Sequence, residues 1–550
     1  MAAGLNFSQP QKRAKNGMLL INGNRPGPGL VLLFALLAGA CSGDTAGPPS
    51  EYEPPPGRPI VDPTYRPTGR AGAGDVFVHL FEWKWPDIAA ECEQFLGPAG
   101  YAAVQVSPPQ EHSMEASHTW SQRYQPVSYS IDRSRSGTRA QFIDMVNRCQ
   151  AVGVGIYVDA VINHMTNYPS PGVGSNGTAY SKYQYPGLYT AADFHPPCAI
   201  TDYQSAANVQ DCELFSLPDL HTGLASVRQK LADYLLMLAR LGVAGFRIDA
   251  AKHIQQAELD SIVGKVNRTL SAEGKPLPYF FLEVVGGAGE ALGPRDYYGI
   301  GYASGGAVDI TEFTFTGVQD KFRRVGVQKL ADLDPNGPPG AQFSAFAWGM
   351  MPGDKAVVFL QNHDTQHQGS IGYRDGDVFR LGNVWMLAQP YGYPSVLSSY
   401  AFGDNVMGPP SDANGNTNNV SCAAKMETAT IGQWVCEHRD PALARMVRFR
   451  KVVAGTEVTR WWSNGGNAVA FSRGSKGFVA INREATTVSA QVTTSLAAGT
   501  YCDRLTGGRV AGTGTCAGRS LQVAADGSVS LELASNTAVA IDVETLVPPR

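Results

Sequence analysis

Short, continuous apolar runs that end in charged side chains recur through the middle of this chain. The run 156–158 leads into Asp159, and the run 280–282 leads into Glu283. Continuous apolar runs of this length are typical of parallel strands that are buried on both faces. In a β/α barrel the carboxyl ends of such strands form the rim that carries the active site. The pattern therefore predicts a barrel enzyme with its chemistry at the strand ends.

Four polar clusters follow apolar runs and carry the candidate chemistry. Carboxylates on separate buried strand ends are costly unless they serve a purpose, so their recurrence points to an enzyme. The clusters are Tyr157-Val-Asp159-Ala-Val-Ile-Asn163-His164, Gly245-Phe-Arg247-Ile-Asp249-Ala-Ala-Lys252-His253, Phe281-Leu-Glu283-Val-Val285 and Phe359-Leu-Gln-Asn362-His363-Asp364.

The same pattern predicts the order of elements in an α/β fold, a (β/α)8 barrel. Helical periodicity at 88–95, 141–152 and 224–241 alternates with the strands. Residues 165–220 lose this periodicity and are rich in Tyr, Pro, Gly and Asn, which predicts a small inserted domain after the third strand. The strands are predicted at 75–80, at 101–106, at the runs ending in Asp159 and Asp249, and at 279–285, 307–311, 356–360 and 395–399.

The pattern changes after about residue 453. Short alternating strands at 468–472, 477–482 and 529–533 are separated by Gly-rich turns. This arrangement predicts a C-terminal antiparallel β-sandwich over 454–550, for which a packing role is the default. The catalytic barrel then occupies 74–453.

Composition narrows the class of ligand. Hydrophobic residues make up 43% of the chain and charged residues 17%, which fits a globular, well-buried protein. The net charge of −4 gives no long-range attraction for nucleic acid or for an anionic membrane surface. The sequence therefore favours a neutral ligand.

The N-terminus has the features of an export signal. Basic residues precede an apolar stretch at 30–40, which is too short to span a bilayer. Small residues stand directly before Cys41, as in a bacterial lipoprotein cleavage site, so we expect a signal peptide over 1–40 and a lipid on Cys41. The alternative is an ordinary secretory signal with an incidental cysteine. The Pro-rich residues 41–73 are predicted to form an extended tether to the cell envelope, unless the protein is released extracellularly.

The cysteines support export. Nine are present, and setting Cys41 aside leaves an even number, the last six of which fall into three close pairs. Such spacing in an exported protein predicts a disulfide framework. The sequence has no CxxC motif, which argues against a structural zinc site.

Glycoside hydrolysis fits a rim of carboxylates and a neutral ligand. One carboxylic acid protonates the leaving oxygen while a second carboxylate attacks or supports the oxocarbenium-like carbon. Asp249 lies two residues after Arg247 on one strand face, so the guanidinium is expected to keep it ionised as the nucleophile. Glu283 stands among apolar residues, which is expected to raise its pKa and keep it protonated as the acid.

All four clusters, in order, resemble the four signature regions of the α-amylase family of glycoside hydrolases. The resemblance covers about 75 to 545. It is closest to the animal-type and actinomycete α-amylases because of further matching segments outside the clusters. These segments are His79-Leu-Phe-Glu-Trp, Val106-Ser-Pro-Pro, Arg123-Tyr-Gln-Pro-Val-Ser-Tyr129 and Val435-Cys-Glu-His-Arg439.

The resemblance implies a role for each matching residue. Asp249 corresponds to the nucleophile, Glu283 to the general acid/base, and Asp364 to a third carboxylate that holds sugar hydroxyls. The residues implied at the substrate are Arg247, His164 and His363 at the cleaved bond, Tyr124 and Trp120 as stacking platforms, and Lys252 and His253 on the leaving-group side. Relatives often carry two adjacent Trp where this chain has Trp120-Ser121, so one sugar subsite is expected to be weakened.

The resemblance also implies two ion sites and the disulfide partners. Asn163, Asp219 and the carbonyls of Gln210 and His253 match calcium ligands, and hard oxygen donors suit Ca²⁺. The alternative for Asp219 is a residue near the N-cap of the helix at 224–241. Chloride is not expected, since Arg247 and Asn362 match the anion ligands of animal-type relatives but Ser395 stands at the third, basic position. The implied disulfides are Cys92–Cys149, Cys198–Cys212, Cys422–Cys436 and Cys502–Cys516.

Three other functions stay open at this point. A maltogenic amylase or transglycosylase of the same family is disfavoured by the animal-type segments. A non-catalytic surface glycan-binding protein would lose a carboxylate, and all three are present. A carbohydrate-transport component would need membrane spans. The prediction is a monomeric α-amylase that hydrolyses internal α-1,4 bonds of starch and glycogen.

Overall fold

Eight short parallel strands close into a barrel in the computed structural model, which describes residues 66–548. Each strand pairs with its neighbours in sequence, and the first strand pairs with the last, so the predicted (β/α)8 fold is confirmed. The strands are β1 (Phe77–Leu80), β2 (Ala103–Val106), β3 (Gly155–Ala160), β4 (Gly245–Ile248), β5 (Tyr279–Leu282), β6 (Val308–Thr311), β7 (Ala356–Val358) and β8 (Tyr393–Ser398).

The described residues contain ten α-helices, most of which surround the barrel. They are α1 (Trp85–Glu91), α2 (Gly97–Ala99), α3 (Arg139–Ala151), α4 (Ala206–Asp211), α5 (Ala225–Arg240), α6 (Gln256–Ala272), α7 (Val318–Arg323), α8 (Ala345–Trp348), α9 (Asp377–Ala388) and α10 (Pro441–Val452). Helix α3 begins where Thr138 and Gln141 form a capping box. Helix α1 begins three residues before the predicted 88, with a proline in its first turn, and continues into a π-helical turn at Cys92–Leu96.

The lower half of the barrel is filled by aromatic side chains. Phe77, Tyr157, Phe281 and Tyr393 come from four different strands and form one buried cluster. The ring centroids of Phe77 and Tyr393 lie 4.9 Å apart. These inward-facing rings fill the space below the rim, so the barrel is a packed core and the rim is its open end.

Residues 66–74 pack against the amino ends of the strands. The Thr68 hydroxyl donates a hydrogen bond to the Asp309 carboxylate at 2.6 Å, and the guanidinium of Arg70 lies 5.3 Å from the centre of the Tyr279 ring. The ammonium of Lys355, just before β7, donates to the carbonyls of Val308 and Arg66. This part of the chain therefore covers the base of the barrel.

The segment predicted as an insert contains little regular structure. It has a two-stranded ribbon at Gly172–Val173 and Ala179–Tyr180 and the short helix α4. It returns to the barrel where the Leu220 amide donates to the carbonyl of Asn163 at 3.0 Å. The end of the insert therefore lies against the carboxyl end of β3.

The C-terminal strands form two antiparallel sheets that share one apolar core, as predicted. Arg473 donates to the carbonyls of Ala388 and Thr456, so a C-terminal strand caps the end of helix α9. The strands are β9 (Val458–Ser463), β10 (Ala468–Arg473), β11 (Gly477–Asn482), β12 (Val488–Thr493), β13 (Gly499–Cys502), β14 (Ser520–Val523), β15 (Ser528–Leu533) and β16 (Thr537–Asp542), in the sheet orders β9-β10-β11-β16 and β12-β15-β14-β13.

Four disulfides join the cysteines as the resemblance implied. They are Cys92–Cys149, Cys198–Cys212, Cys422–Cys436 and Cys502–Cys516. The predicted signal peptide, Cys41 and most of the predicted tether lie outside the described residues. Between residues 66 and 548, no helix has the length and apolar character needed to cross a membrane.

Candidate active site

The three predicted carboxylates lie at the carboxyl ends of three barrel strands. Asp249 directly follows β4, Glu283 directly follows β5, and Asp364 follows β7 by a few residues. Parallel strands in a closed barrel end on one rim, so the sequence clusters converge there. The side chains of Asp249, Glu283 and Asp364 keep only 11%, 15% and 32% of their exposure.

Arg247 joins Asp159, Asp249 and Glu283 into one network. Its Nη1 donates to Asp159 Oδ1 at 2.6 Å and to Asp249 Oδ1 at 2.9 Å. Its Nη2 lies 2.7 Å from Glu283 Oε1, which is ion-pair distance without hydrogen-bond alignment. One buried guanidinium thus fixes the nucleophile candidate and the acid candidate relative to each other.

The surroundings of Asp249 shift its pKa in the direction opposite to that expected from Arg247 alone. Burial raises its pKa well above the usual range, Arg247 opposes this shift, and the neighbouring Glu283, Asp159 and Asp364 add to it. Burial likewise raises the pKa of Asp364 to about 7. Three carboxyls contact the one guanidinium, so burial and the neighbouring carboxyls raise the pKa of Asp249 by more than Arg247 lowers it. The sequence shows Arg247 beside Asp249, but it does not show how many carboxyl groups surround this arginine in the folded protein.

Glu283 is held by the backbone as well as by Arg247. The Ala250 amide donates to Glu283 Oε2 at 2.8 Å. Ala250 has a φ of 49°, a left-handed conformation that is uncommon for residues other than glycine. This turn directly after Asp249 aims the amide at the neighbouring strand end, and strained backbone of this kind clusters at functional sites.

Aromatic rings and histidines line the predicted substrate subsite. The Tyr124 hydroxyl donates to Asp159 Oδ2 at 3.0 Å, and its ring stacks on His363 with centroids 4.7 Å apart. His164 Nε2 donates to the Tyr124 carbonyl at 3.0 Å, and His363 Nε2 lies 3.3 Å from Asp364 Oδ2. The structure therefore brings Tyr124, His164 and His363 together with the carboxylates.

Trp120 lies beside this group with one face covered. Its indole stacks on His367 at a centroid distance of 5.3 Å, and its N–H donates to the Asn405 carbonyl at 2.9 Å. Only 8% of the residue is exposed. Trp120 is thus largely covered by neighbouring rings, and the weakened subsite inferred from Trp120-Ser121 stays a prediction.

Lys252 and His253 lie on a short 3₁₀ turn, Ala251–His253, that follows Asp249. Lys252 Nζ donates to the Val285 carbonyl at 2.8 Å and pairs with Glu290. His253 Nδ1 donates to the Val209 carbonyl at 2.9 Å. Lys252 thus ties the loops after β4 and β5 together, and His253 reaches the insert.

The predicted calcium ligands form two adjacent groups. Asn163 Nδ2 donates to Asp219 Oδ1 at 3.2 Å, and His253 contacts Val209, next to Gln210. His195 links the groups, since its Nδ1 donates to Asp219 Oδ2 at 2.7 Å and its Nε2 lies 3.8 Å from Asp211.

Asp219 fits a cation ligand. It is 2% exposed, and burial raises its pKa to about 7. A cation would offset that burial, and the amide and carbonyl oxygens nearby are donors that Ca²⁺ accepts. His195 belongs to this cluster but was not singled out from the sequence, because its motif gave no signal.

The three positions that match the anion ligands of animal-type relatives also converge. Arg247, Asn362 and Ser395 line one cavity of about 20 Å³ below the rim. Ser395 therefore faces this cavity, where the resemblance placed a basic residue.

Other residues of the site were not assigned from the sequence. Asp159 belongs to the first polar cluster of the sequence, but the sequence analysis assigned it no role. In the structure it is the carboxylate closest to Arg247. His79 on β1 and Gln105 on β2 also face the rim interior, and Gln105 Nε2 donates to Asp159 Oδ2 at 3.2 Å. Both residues occupy inward-facing positions in the alternation along β1 and β2, and this sequence feature could have identified them.

The rim thus presents the residue types with which retaining glycoside hydrolases work, carried on the barrel that many of them use. Family models give the particular assignment. Residues 94–275 match the α-amylase catalytic domain, and residues 461–544 match the α-amylase C-terminal all-β domain.

Relatives extend the match over most of the chain. An α-amylase from Streptomyces violaceus is 42% identical across 93% of this chain and 78% of its own length. An α-amylase from Tenebrio molitor is 41% identical across 84% of this chain and 96% of its own length. The solved α-amylase I of Eisenia fetida is 35% identical, with a TM-score of 0.77 over 87% of this chain and 99% of that one. The chain belongs to the α-amylase family.

Proposed function

We propose that this protein is an α-amylase that cleaves internal α-1,4 bonds of starch, glycogen and related glucans with retention of configuration. The observation that carries this proposal is the Arg247 network, which holds Asp249 and Glu283 on neighbouring strand ends. Support comes from relatives named α-amylase and from a solved complex of an Eisenia fetida α-amylase I variant with maltohexaose.

Each carboxylate has a distinct task in this mechanism. Glu283 protonates the glycosidic oxygen while Asp249 attacks the anomeric carbon and forms a glycosyl-enzyme ester. Glu283 then removes a proton from the water that hydrolyses this ester, which restores the original anomer. Asp364 accepts hydrogen bonds from sugar hydroxyls beside the cleaved bond.

The surrounding residues orient the sugar and the two carboxyls. Arg247 positions Asp249, and the Ala250 amide positions Glu283. The residues proposed to contact the substrate are His164, His363, Tyr124 and Trp120 at the cleaved bond and its neighbour, and Lys252 and His253 on the leaving-group side.

Two variants and one stereochemical measurement test the mechanism. Asp249→Asn and Glu283→Gln should each lower kcat on soluble starch by about 10⁴-fold or more, since each removes a reacting group. Asp320→Asn, an exposed carboxylate on α7, serves as the control for the same chemical change. Proton NMR of early products should show the α-anomer first, and release of the β-anomer first would exclude retention.

Calcium is proposed as the structural ion of the insert. The donors that would hold it are the side chains of Asn163 and Asp219 and the carbonyls of Gln210 and His253. An ion there would link the insert to the loops after β3 and β4, next to the cleft. It would act by fixing these segments.

Export, lipid attachment of Cys41 and a monomeric state are also proposed. They rest on the sequence pattern of residues 1–73 and on the cysteine count. Mass spectrometry of the protein from a bacterium that processes lipoproteins tests the first two, since a mature N-terminus after Cys41 would exclude the lipid. Light scattering of the purified protein tests the third.

A further inference from the structure

His79 leaves a buried nitrogen without a partner at the floor of the cleft. It lies on β1, is 2% exposed, and its Nε2 has no hydrogen-bond partner among residues 66–548. Its ring meets the ring of His363 edge-on, with centroids 5.3 Å apart. Buried polar atoms are normally satisfied, so an orphaned nitrogen that faces a cluster of polar groups indicates a ligand position.

Three donor atoms converge at this position. One nitrogen each from His79 and His363 and one carboxylate oxygen from Asp159 all lie within 4.8 Å of one another. Bonds of ~2.0–2.2 Å from nitrogen and oxygen to Zn²⁺ place neighbouring ligand atoms ~3.5 Å apart, so small side-chain rotations complete the site. Two imidazoles and one carboxylate, with a position left for water, suit Zn²⁺ or Cu²⁺ and do not suit Ca²⁺.

The electrostatics of the floor favour a cation. Burial and the nearby Arg247 hold the pKa values of His79 and His363 well below 6.5, so both rings are neutral and offer lone pairs at neutral pH. Arg247 repels a second cation, but it faces an excess of carboxyl groups. Burial is the main reason that the pKa of Asp364 rises to about 7, and neighbouring Glu283 and Asp159 add to the rise, as expected where carboxyl groups are in excess.

We propose that His79, Asp159 and His363 form an inhibitory site for a divalent transition-metal ion. An ion bound to Asp159 competes with the hydrogen bonds that this carboxylate accepts from Arg247 and Tyr124. It also holds His363 away from Asp364. Both changes disturb the position of Asp249, the proposed nucleophile. The predicted inhibition therefore rests on the proposed function, whereas the predicted ion binding does not.

An activity assay tests the inhibition. With Ca²⁺ held in excess, Zn²⁺ and Cu²⁺ should lower starch hydrolysis at least 10-fold at saturation, Mg²⁺ should not, and chelation followed by Ca²⁺ should restore the rate. The variant His79→Gln should raise the half-inhibitory Zn²⁺ concentration at least 10-fold. The control His221→Gln changes another close histidine pair, His195 and His221, whose rings lie 4.4 Å apart. This control should leave the half-inhibitory Zn²⁺ concentration unchanged.

A binding measurement separates this site from the proposed function. Cobalt(II) added to the wild-type protein should give one equivalent of visible absorption typical of a low-coordinate site with nitrogen ligands, and excess maltohexaose should remove it. His79→Gln should lack the signal. If that variant does not fold, competition between cobalt and maltohexaose in the wild-type protein decides the question.

The outcomes are distinguishable. Cobalt binding that maltohexaose does not displace, or zinc inhibition that His221→Gln removes, would overturn the proposal. A protein that binds cobalt as described but does not hydrolyse starch would keep the ion site and refute the proposed function.

Discussion

The carboxylate of Glu111 fastens the ribbon of the insert to the loop that follows β2. Its Oε1 accepts hydrogen bonds from the amides of Asn176 and Thr178 at 3.1 and 3.0 Å. Its Oε2 accepts from the hydroxyls of Ser128 and Thr178 at 2.7 and 2.8 Å. The residue is 0% exposed, so Glu111→Ala deletes four charge-assisted hydrogen bonds at once.

The expected loss follows from what the donors can do afterwards. Hydrogen bonds to a charged group contribute ~1.5–3 kcal/mol each, but they are not additive. Asn176 at the ribbon tip is exposed and can return to water, so the net loss should be ~2–3 kcal/mol. A local opening free energy lower by this amount raises the open population ~30- to 150-fold.

Hydrogen exchange measures this opening directly. In Glu111→Ala the amides of Asn176 and Thr178 should exchange ~30- to 150-fold faster, while amides of the barrel strands keep their protection. Glu115→Ala is the matched control, because this carboxylate on the same loop is only partly buried and accepts from Ser117 and Thr119. Unchanged exchange at Asn176 and Thr178 would refute the reasoning.

Four further predictions follow from the site and the core. Chelation with EDTA should lower both the melting temperature and the rate on starch, and if neither changes, the calcium ligands are misassigned. Dialysed enzyme should show no activation by chloride relative to an equal concentration of acetate, because Ser395 supplies no positive charge; several-fold activation specific to chloride would contradict this. Replacing Cys198 and Cys212 together by Ser should cost ~3 kcal/mol in urea unfolding by the chain-entropy model, whereas an unchanged midpoint would show that the loop is constrained otherwise. Burial raises the pKa of Asp309 to about 6, so the folded state keeps this proton to a higher pH than the unfolded state does. The free energy of unfolding should therefore fall as the pH rises from about 4 to about 6. Asp309→Asn should flatten this fall, and an identical pH profile would refute it.

The barrel strands and the three carboxylates could be predicted because both leave a local signal. An apolar run flanked by loops marks a buried parallel strand, and Asp249 and Glu283 each directly follow such a run. Closure of the barrel then brings these ends together without further information. The disulfides followed from the resemblance to relatives.

The finer arrangement depends on neighbours that are distant in sequence. His79 and His363 are nearly 300 residues apart, and nothing in either motif shows that their rings meet. The left-handed turn at Ala250 is invisible in sequence because alanine rarely adopts it. The raised pKa of Asp249 depends on how many carboxyls share Arg247, which is a property of the folded rim.

The packing of residues 66–74 against the barrel base determines how the molecule can be held. Thr68 and Arg66 contact Asp309 and Lys355 near the amino ends of β6 and β7, whereas Asp249, Glu283 and Asp364 lie at the opposite end. A force applied to the chain before Arg66 is therefore transmitted to the base and not to the catalytic loops. An attachment through residues 66–74 would therefore act on the end of the barrel opposite the carboxylates.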